Sequence, residues 1–360
     1  MAGMSDGDAV GAPAEALSRE SVLDFSANVT PAPMAETLRR ALQDSIECLS
    51  HPPDPEARKL RQRAAQVYGV SPDEVRVGNG VSEFLYAIPR GLRPRRVVMP
   101  APCCTDYWRA SDYAGAESEG VLCSEAKEFA LDPAQVEMRL SGTDMVFLGN
   151  PSDPTGVAAP ADAIRALAKK FSGVAFVVDE SFVEFVPEAL GASLLGAPLP
   201  ANVIVLRSPT AIYGLAGLPL AFLFAGRTLI EQIQAAREPN AVGATTLRAG
   251  EALLAGPPEA PALRQPVIAE RERVREELSR MAGIRVFRSQ ANFLLLKTTR
   301  PGLTALQLCQ RMLKQKVLIR NVAGYRGLDG RFARVSVRSA ADNDRLLAAF
   351  RDALDEAKWK

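Results

Sequence analysis

The stretch Val205-Leu-Arg-Ser-Pro-Thr-Ala-Ile-Tyr-Gly-Leu-Ala-Gly-Leu-Pro-Leu-Ala-Phe-Leu-Phe-Ala-Gly226 decides how this chain is interpreted. Residues 203–206 and 220–225 form two apolar runs, which predict buried strands. The small hydroxyl residues Ser208 and Thr210 lie between them, followed by a Gly-Leu-Ala-Gly corner. Short side chains and free backbone N–H groups converge well on a phosphate, so this loop is a candidate phosphate site. A plain turn between two core strands explains the same composition equally well.

The composition is that of a globular protein without an unusual charge. A chain of 360 residues is long enough for one large domain and a smaller one. Hydrophobic residues make up 47% and charged residues 24%, which is ordinary. The net charge of +1 gives no electrostatic reason to expect nucleic acid or an anionic membrane as a partner. No apolar run approaches the roughly 20 residues that span a bilayer.

The N-terminus and the cysteines indicate a cytoplasmic protein. Residues 1–20 are rich in Ala, Gly and Asp and lack a basic start followed by an apolar core, so we expect a mobile arm and not a secretion signal. The five cysteines form no CxxC pair, which argues against a zinc site or a disulfide framework. A reducing cytoplasm suits them. His51 is the only histidine, so we expect no His-based metal site and no Ser-His-Asp triad.

The order of the elements predicts an α/β fold. Buried strands alternate with helices through residues 75–225, which is typical of a mostly parallel sheet flanked by helices. Ligands bind such sheets at the carboxyl ends of the strands. From about residue 257 the composition shifts, and a charged helix at residues 261–281 leads into a smaller α+β unit. We predict four parts: the arm 1–20, an N-terminal segment 21–50 that packs with the small domain, a large domain 51–257, and a small domain 258–360.

The stretch quoted first resembles the lysine-bearing segment of pyridoxal-phosphate (PLP) enzymes of the aminotransferase fold (fold type I, class I/II). It is most similar to the branch of histidinol-phosphate aminotransferase and threonine-phosphate decarboxylase. The resemblance covers about residues 22–357 and implies an aminotransferase-like large domain with a smaller C-terminal one. In this register the family's Schiff-base lysine falls on Ala211, and the arginine that holds the cofactor phosphate falls on Pro219.

The resemblance also implies a cofactor site. The turn Gly78-Asn-Gly-Val-Ser-Glu83 leads into a helix, and the family binds the PLP phosphate on amides of this turn. In Asp179-Glu-Ser-Phe182, the aspartate matches the acid that pairs with the pyridinium nitrogen. The cofactor-binding positions implied are Gly80, Val81, Ser82, Asp179, Ser208 and Thr210.

The substrate positions come from the same resemblance. Asn28 belongs to the entry segment Asp24-Phe-Ser-Ala-Asn28, and Tyr213 follows the lysine position. Arg334 matches the arginine that binds the substrate carboxylate, and Arg338 resembles an additional anion-binding arginine. A planar guanidinium suits both carboxylate and phosphate. The alternative is that both arginines are ordinary surface charges.

Five positions depart from the family together: Pro52, Cys104, Asp153, Ala211 and Pro219. In the family, a tyrosine at the Pro52 position reaches the cofactor phosphate across the dimer. The ring at the Cys104 position stacks on the pyridine, and the asparagine at the Asp153 position bonds its 3-oxygen. These losses make PLP doubtful as a cofactor.

The leading hypothesis is a diverged, PLP-independent member that is still an enzyme, a cytoplasmic homodimer acting on a small anionic metabolite such as an amino acid or a phosphorylated one. Asp153 and Asp179 would form a carboxylate pair with split pKa values for acid–base work. Cys104, at a helix N-terminus, would have a lowered thiol pKa. The plainer alternatives are an Asp-Pro turn and a small buried thiol.

Two other functions stay open at this point. The chain could be a non-catalytic subunit that forms a heterodimer with an active paralogue. It could also use PLP without a Schiff-base lysine, because Asp179, Ser208 and Thr210 are kept.

Overall fold

The computed structural model describes residues 22–31, 34–256, 260–355 and 357. The predicted arm at residues 1–20 lies outside the described residues, and so does the predicted domain boundary at residues 257 and 258. The domain division therefore stays a prediction.

The strands and helices follow one another along the chain with short connections. The strands are β1 (Leu23–Asp24), β2 (Val75–Gly78), β3 (Arg96–Ala101), β4 (Glu117–Leu122), β5 (Met145–Gly149), β6 (Ala175–Asp179), β7 (Val203–Arg207), β8 (Ala221–Ala225), β9 (Ile284–Val286), β10 (Phe293–Thr298), β11 (Val317–Leu318), β12 (Arg320–Asn321) and β13 (Phe332–Ser336). The helices are α1 (Glu36–Asp44), α2 (Arg58–Tyr68), α3 (Val81–Leu92), α4 (Thr105–Tyr113), α5 (Pro133–Glu137), α6 (Ala161–Lys170), α7 (Arg227–Gln234), α8 (Ala244–Leu253), α9 (Ala260–Ser279), α10 (Ala305–Lys314) and α11 (Ala340–Leu354).

The large sheet has the strand order β2-β8-β7-β6-β5-β3-β4. Strand β8 runs antiparallel to both of its neighbours, and the other pairings are parallel. Successive side chains of a strand point to opposite faces, so Val203 and Val205 enter one apolar cluster while Ile204 and Leu206 enter another. Helices cover both clusters. The predicted α/β fold with a mostly parallel sheet is confirmed.

The C-terminal sheet is antiparallel, in the order β12-β13-β10-β9. Side chains of α9, α10 and α11 pack on it in a separate apolar cluster. Strand β1 joins this part of the molecule, because it pairs in parallel with β11 and places Leu23 opposite Val317. Phe25, which follows β1, is fully buried in the same cluster.

Some boundaries differ from the sequence-based expectation. The sequence of residues 317–320 predicts a single strand, but the chain leaves β11 at Ile319 and pairs with β13 through β12. The periodicity of residues 34–47 predicts one helix, but the α-helix ends at Asp44 and continues as a 3₁₀ turn, Ser45–Ser50. Strand β4 was not predicted because it is an edge strand with mostly polar, exposed residues.

Within the described ranges, no helix is both long and apolar enough to cross a membrane.

Candidate active site

The carboxyl ends of β5, β6 and β7 meet at one edge of the large sheet, where three predicted motifs follow them. Asn150 holds the motif that follows β5 in place, because its backbone N–H donates to the Asp179 carbonyl at 2.8 Å. Its side chain donates to the carbonyls of Ala159 and Ala192 at 3.0 and 2.7 Å and accepts from the Ala159 amide at 2.7 Å. Asn150 is 1% exposed, so the loop that carries Asp153 is held rigidly against the sheet.

Asp179 ends β6, and both of its carboxylate oxygens are occupied. The Tyr107 phenol donates to Oδ2 at 2.9 Å. The amide of Ser181 donates to Oδ1 at 3.0 Å, and the Ser181 hydroxyl donates to the same oxygen. Burial raises the pKa of Asp179 above its usual range, although these hydrogen bonds oppose the shift, and the charge of Asp153 adds to the rise.

Asp153 forms an ion pair with Arg334 of β13. One carboxylate oxygen, Oδ1, accepts from Nη1 of the guanidinium. Arg334 is buried, and its Nη2 donates to the carbonyl of Ser26 at 3.0 Å. The pair connects the loop after β5 of the large sheet to the middle of the C-terminal sheet.

The predicted acid–base pair of Asp153 and Asp179 stays a prediction. The charge of Asp153 contributes to the raised pKa of Asp179, but each carboxylate has its own hydrogen-bond partners. Arg334 supplies a positive charge to Asp153 that the sequence-based interpretation did not include.

The predicted lowered thiol pKa of Cys104 is wrong. Cys104 caps the N-terminus of α4, but burial raises the pKa of its thiol well above the usual value, and the charges of Asp153 and Asp106 raise it further. Burial likewise raises the pKa of the Cys103 thiol to about 12. Both thiols stay protonated near neutral pH. Cys103 agrees with the plainer interpretation of a small buried side chain, whereas Cys104 is half-buried.

Two tyrosines near Asp153 and Asp179 were not singled out from the sequence. Tyr107 stacks on Phe147 with ring centroids 5.3 Å apart and holds Asp179. Tyr325 is buried, and its pKa is raised by that burial and by the nearby charge of Asp153, with Arg334 opposing. The position of Tyr107 in the first turn of a helix after β3 was a usable signal. Tyr325 lies in the loop between β12 and β13 and had none.

The turn at the start of α3 is the predicted phosphate cradle. Gly80 has φ +81° and precedes the first helical residues, Val81 and Ser82. A Cβ atom on Gly80 would lie 3.2 Å from the Cβ of Pro219, so the proline ring sits directly against the turn. Glu83 reaches back to accept the Asn79 amide at 2.6 Å, which places a carboxylate at this helix N-terminus.

The loop after β7 contributes less to this cluster than expected. The Ser208 hydroxyl donates to the carbonyl of Leu220 at 3.0 Å and accepts from the Thr210 amide at 3.3 Å. Ala211 is 7% exposed and packs among apolar side chains. Ser208 and Tyr213 line a cavity of about 470 Å³ on whose lining neither Asp153 nor Asp179 appears.

The remaining substrate positions lie beside β13. The side-chain oxygen of Asn28 is buried and has no hydrogen-bond partner among the described residues. Arg338 forms an ion pair with Asp342 at 3.1 Å and donates to the Asp24 carbonyl at 3.1 Å. Both predicted anion-binding arginines therefore have a carboxylate partner within the chain. In the described part of the chain, no group of three or more potential metal ligands occurs.

Comparisons with known proteins agree with this architecture. The family model of aminotransferase class I and II matches residues 20–350. Threonine-phosphate decarboxylase of Salmonella typhimurium is 33% identical over 343 residues, which cover 94% of this chain and 93% of that protein. The structure of L-threonine-O-3-phosphate decarboxylase from Porphyromonas gingivalis is similar with a TM-score of 0.79 at 25% identity, and covers 92% of this chain and 98% of the other. Histidinol-phosphate aminotransferase from Sinorhizobium meliloti, solved in complex with pyridoxal-5'-phosphate, has a TM-score of 0.82 at 22% identity, over 94% and 93% of the two chains. This chain belongs to the aminotransferase class I and II family.

Proposed function

We propose that the protein binds and transforms a small anionic metabolite, an amino acid or a phosphorylated relative of one, without covalent attachment of PLP. The observation that carries this proposal is the position of Arg334. Arg334 is 6% exposed, pairs with Asp153 beside Asp179, and keeps its Nε without a hydrogen-bond partner among the described residues. A buried guanidinium with an unused donor is suited to an anion.

The relative from Salmonella typhimurium supports the proposed substrate class, because its name, threonine-phosphate decarboxylase, specifies a phosphorylated amino acid. An amino acid or its phosphate carries an anionic group for Arg334. The buried, unpartnered oxygen of Asn28 offers an acceptor on the neighbouring segment. Such a ligand therefore matches the polar groups that lie between β1 and β13.

The residues present do not fit covalently bound PLP. The segment 205–226 contains no lysine, and Ala211 has no amine to offer. Neither Asp153 nor Asp179 has a lysine partner. Pro219 lies against Gly80 and supplies neither a charge nor a donor to the cradle.

The acid–base group of the proposed reaction is Asp179. Its raised pKa lets it hold and release a proton closer to neutral pH than an ordinary aspartate does. Tyr107 keeps its own proton because burial and the charge of Asp179 raise the pKa of the phenol. The phenol therefore stays a donor to Asp179 and fixes the orientation of the carboxylate. Asp153 has a different task, since it neutralises Arg334.

The experiment that tests the proposal is a PLP titration of the purified protein, followed by absorbance and calorimetry, with and without added amino acids. We expect no binding up to millimolar PLP and heat of binding for one or more anionic amino acids alone. The threonine-phosphate decarboxylase of Salmonella typhimurium serves as the positive control. Tight PLP binding without any amine would contradict the proposal, and PLP binding that requires an amine would favour use of PLP without a lysine.

A second candidate is a non-catalytic subunit of a larger enzyme. The observation that favours it is an apolar surface on the 3₁₀ turn Ser45–Ser50, where Ile46 and Leu49 are 65% and 64% exposed. Exposed apolar side chains next to each other are typical of a protein interface. Light scattering separates a monomer from a homodimer. Co-purification with a lysine-bearing paralogue, together with no turnover by the isolated chain, would favour the subunit.

A further inference from the structure

We propose that Asp153 is an internal carboxylate ligand of Arg334, which a ligand anion must displace and which thereby sets the affinity of the site. The inference rests on the proposed function in one respect, namely that Arg334 is the anion-binding group. It goes further by assigning to Asp153 the role of a competitor, and by naming the kind of ligand that this competition favours.

The contact between the two side chains is a partial one. Arg334 uses Nη1 for a single oxygen of Asp153 and Nη2 for the carbonyl of Ser26, while Nε has no partner among the described residues. A guanidinium binds a free carboxylate or phosphate through two parallel hydrogen bonds. Asp153 therefore leaves part of the donor capacity of Arg334 unused, and an external anion that accepts two hydrogen bonds from Arg334 has an advantage over it.

The two partners differ in how easily solvent reaches them. The side chain of Arg334 is 7% exposed and that of Asp153 is 17% exposed. Arg334 is also fixed on both sides, by the Ser26 carbonyl and by the Phe293 ring, whose centroid lies 5.3 Å from the guanidinium carbon. In an exchange, Asp153 would move and Arg334 would stay. The loop end at Asp153 is the side from which an anion would arrive.

Displacement of Asp153 from Arg334 by an external anion changes the charge balance of the site. When an anion takes Arg334, the carboxylate of Asp153 loses its counter-charge close to Asp179, whose pKa already responds to it. Two carboxylates without a cation repel each other. A ligand that also carries an ammonium group restores the balance, since its anion bonds Arg334 and its cation meets Asp153. The site therefore favours a zwitterion over a simple anion of the same size.

The experiment replaces Asp153 and supplies the missing carboxylate from solution. In Asp153→Ala, Arg334 is left buried without a counter-charge, and acetate can occupy the vacated position. We expect the Kd of acetate, measured by calorimetry, to fall at least about tenfold relative to the unchanged protein, which corresponds to about 1.4 kcal/mol. We also expect acetate, but not an equal concentration of chloride, to raise the thermal midpoint of the variant. In the unchanged protein, glycine should bind more tightly than acetate.

Three further variants make the test specific. Asp153→Asn keeps the shape of the side chain and should show the same direction of change if Asp153→Ala does not fold. Asp329→Ala is the matched control, because it removes a carboxylate from the exposed Arg331 on the loop before β13 and should leave acetate binding unchanged. Arg334→Met in the Asp153→Ala background should abolish the gain.

Equal acetate binding by Asp153→Ala and the unchanged protein would overturn the inference, and so would a gain that survives Arg334→Met. Loss of folding in both Asp153 variants without recovery in acetate would also overturn it, because the pair would then be a closed structural contact. If the variants gain acetate but no amino acid binds the unchanged protein, the proposed function fails while the competition stands. If an amino acid binds the unchanged protein and the variants gain no acetate binding, the competition fails while the proposed function stands.

Discussion

The Tyr107 phenol donates a 2.9 Å hydrogen bond to the carboxylate of Asp179, and its ring stacks on Phe147. The aromatic contact on one side and the carboxylate on the other leave the phenol one orientation. Asp179 is thus held by Tyr107 of α4 and by Ser181 in the turn after β6.

Replacing Tyr107 with Phe should destabilise the protein by about 1–3 kcal/mol, because a buried carboxylate loses a donor. The loss should be larger at neutral pH than in acid, where Asp179 is protonated and needs the donor less. Urea unfolding at the two pH values measures it. The control is Tyr113→Phe, since that side chain is 75% exposed and the free energy of unfolding should not change. An equal loss at both pH values would contradict the role of the charge.

The pKa of Asp179 gives stability a defined pH dependence. Its folded pKa lies above the ordinary value of 3.8, so between the two values the folded state binds more protons than the unfolded state. The free energy of unfolding contributed by this group therefore falls as the pH rises through that interval. Asp179→Asn should remove this decline, whereas Tyr107→Phe, which takes away a hydrogen bond that lowers the pKa, should extend it to higher pH. A pH series of urea unfolding curves is the measurement, and an unchanged slope in Asp179→Asn would contradict the prediction.

Arg207, the last residue of β7, and Glu180, which follows β6, form a buried ion pair. Arg207 donates to Glu180 at 2.9 Å, and Glu180 has no exposed surface. Glu180→Ala should cost about 3–5 kcal/mol, because it leaves Arg207 buried with less counter-charge. Glu231→Ala breaks the exposed pair with Arg227 and should cost no more than about 1 kcal/mol. Arg207 also pairs with Glu184 at 2.5 Å, so similar losses in both variants would show that Glu184 alone compensates its charge.

Covalent PLP attachment should not return with a single substitution. Ala211→Lys supplies an amine, but Pro219 still lies against Gly80 and gives the phosphate no partner. We expect no PLP adduct after borohydride reduction of Ala211→Lys, measured by mass spectrometry, and a detectable adduct only when Pro219→Arg is added. Efficient labelling of the single variant would mean that the cradle at the start of α3 holds the phosphate unaided.

The sequence predicted the large sheet because its strands are short apolar runs, each followed by a helix and a polar motif. Residues such as Asp179 and Asn150 could be placed at one edge for the same reason. The pair between Asp153 and Arg334 could not be predicted, because its members are 181 residues apart, one in the loop after β5 of the large sheet and the other in the C-terminal sheet. Their contact depends on how the C-terminal sheet packs against the strand ends, which no local pattern records. The same holds for Tyr325, which reaches the cluster from a loop without a motif.

The parallel pairing of β1 with β11 has a consequence for how the chain is made. Leu23 leaves the ribosome long before its strand partner Val317. The β1 segment must therefore wait unpaired while the large sheet assembles. Contacts between such distant parts of a chain form slowly, and unpaired strands favour aggregation. During translation, the large sheet and its helices can thus fold before the C-terminal sheet, and Arg334 reaches Asp153 only afterwards.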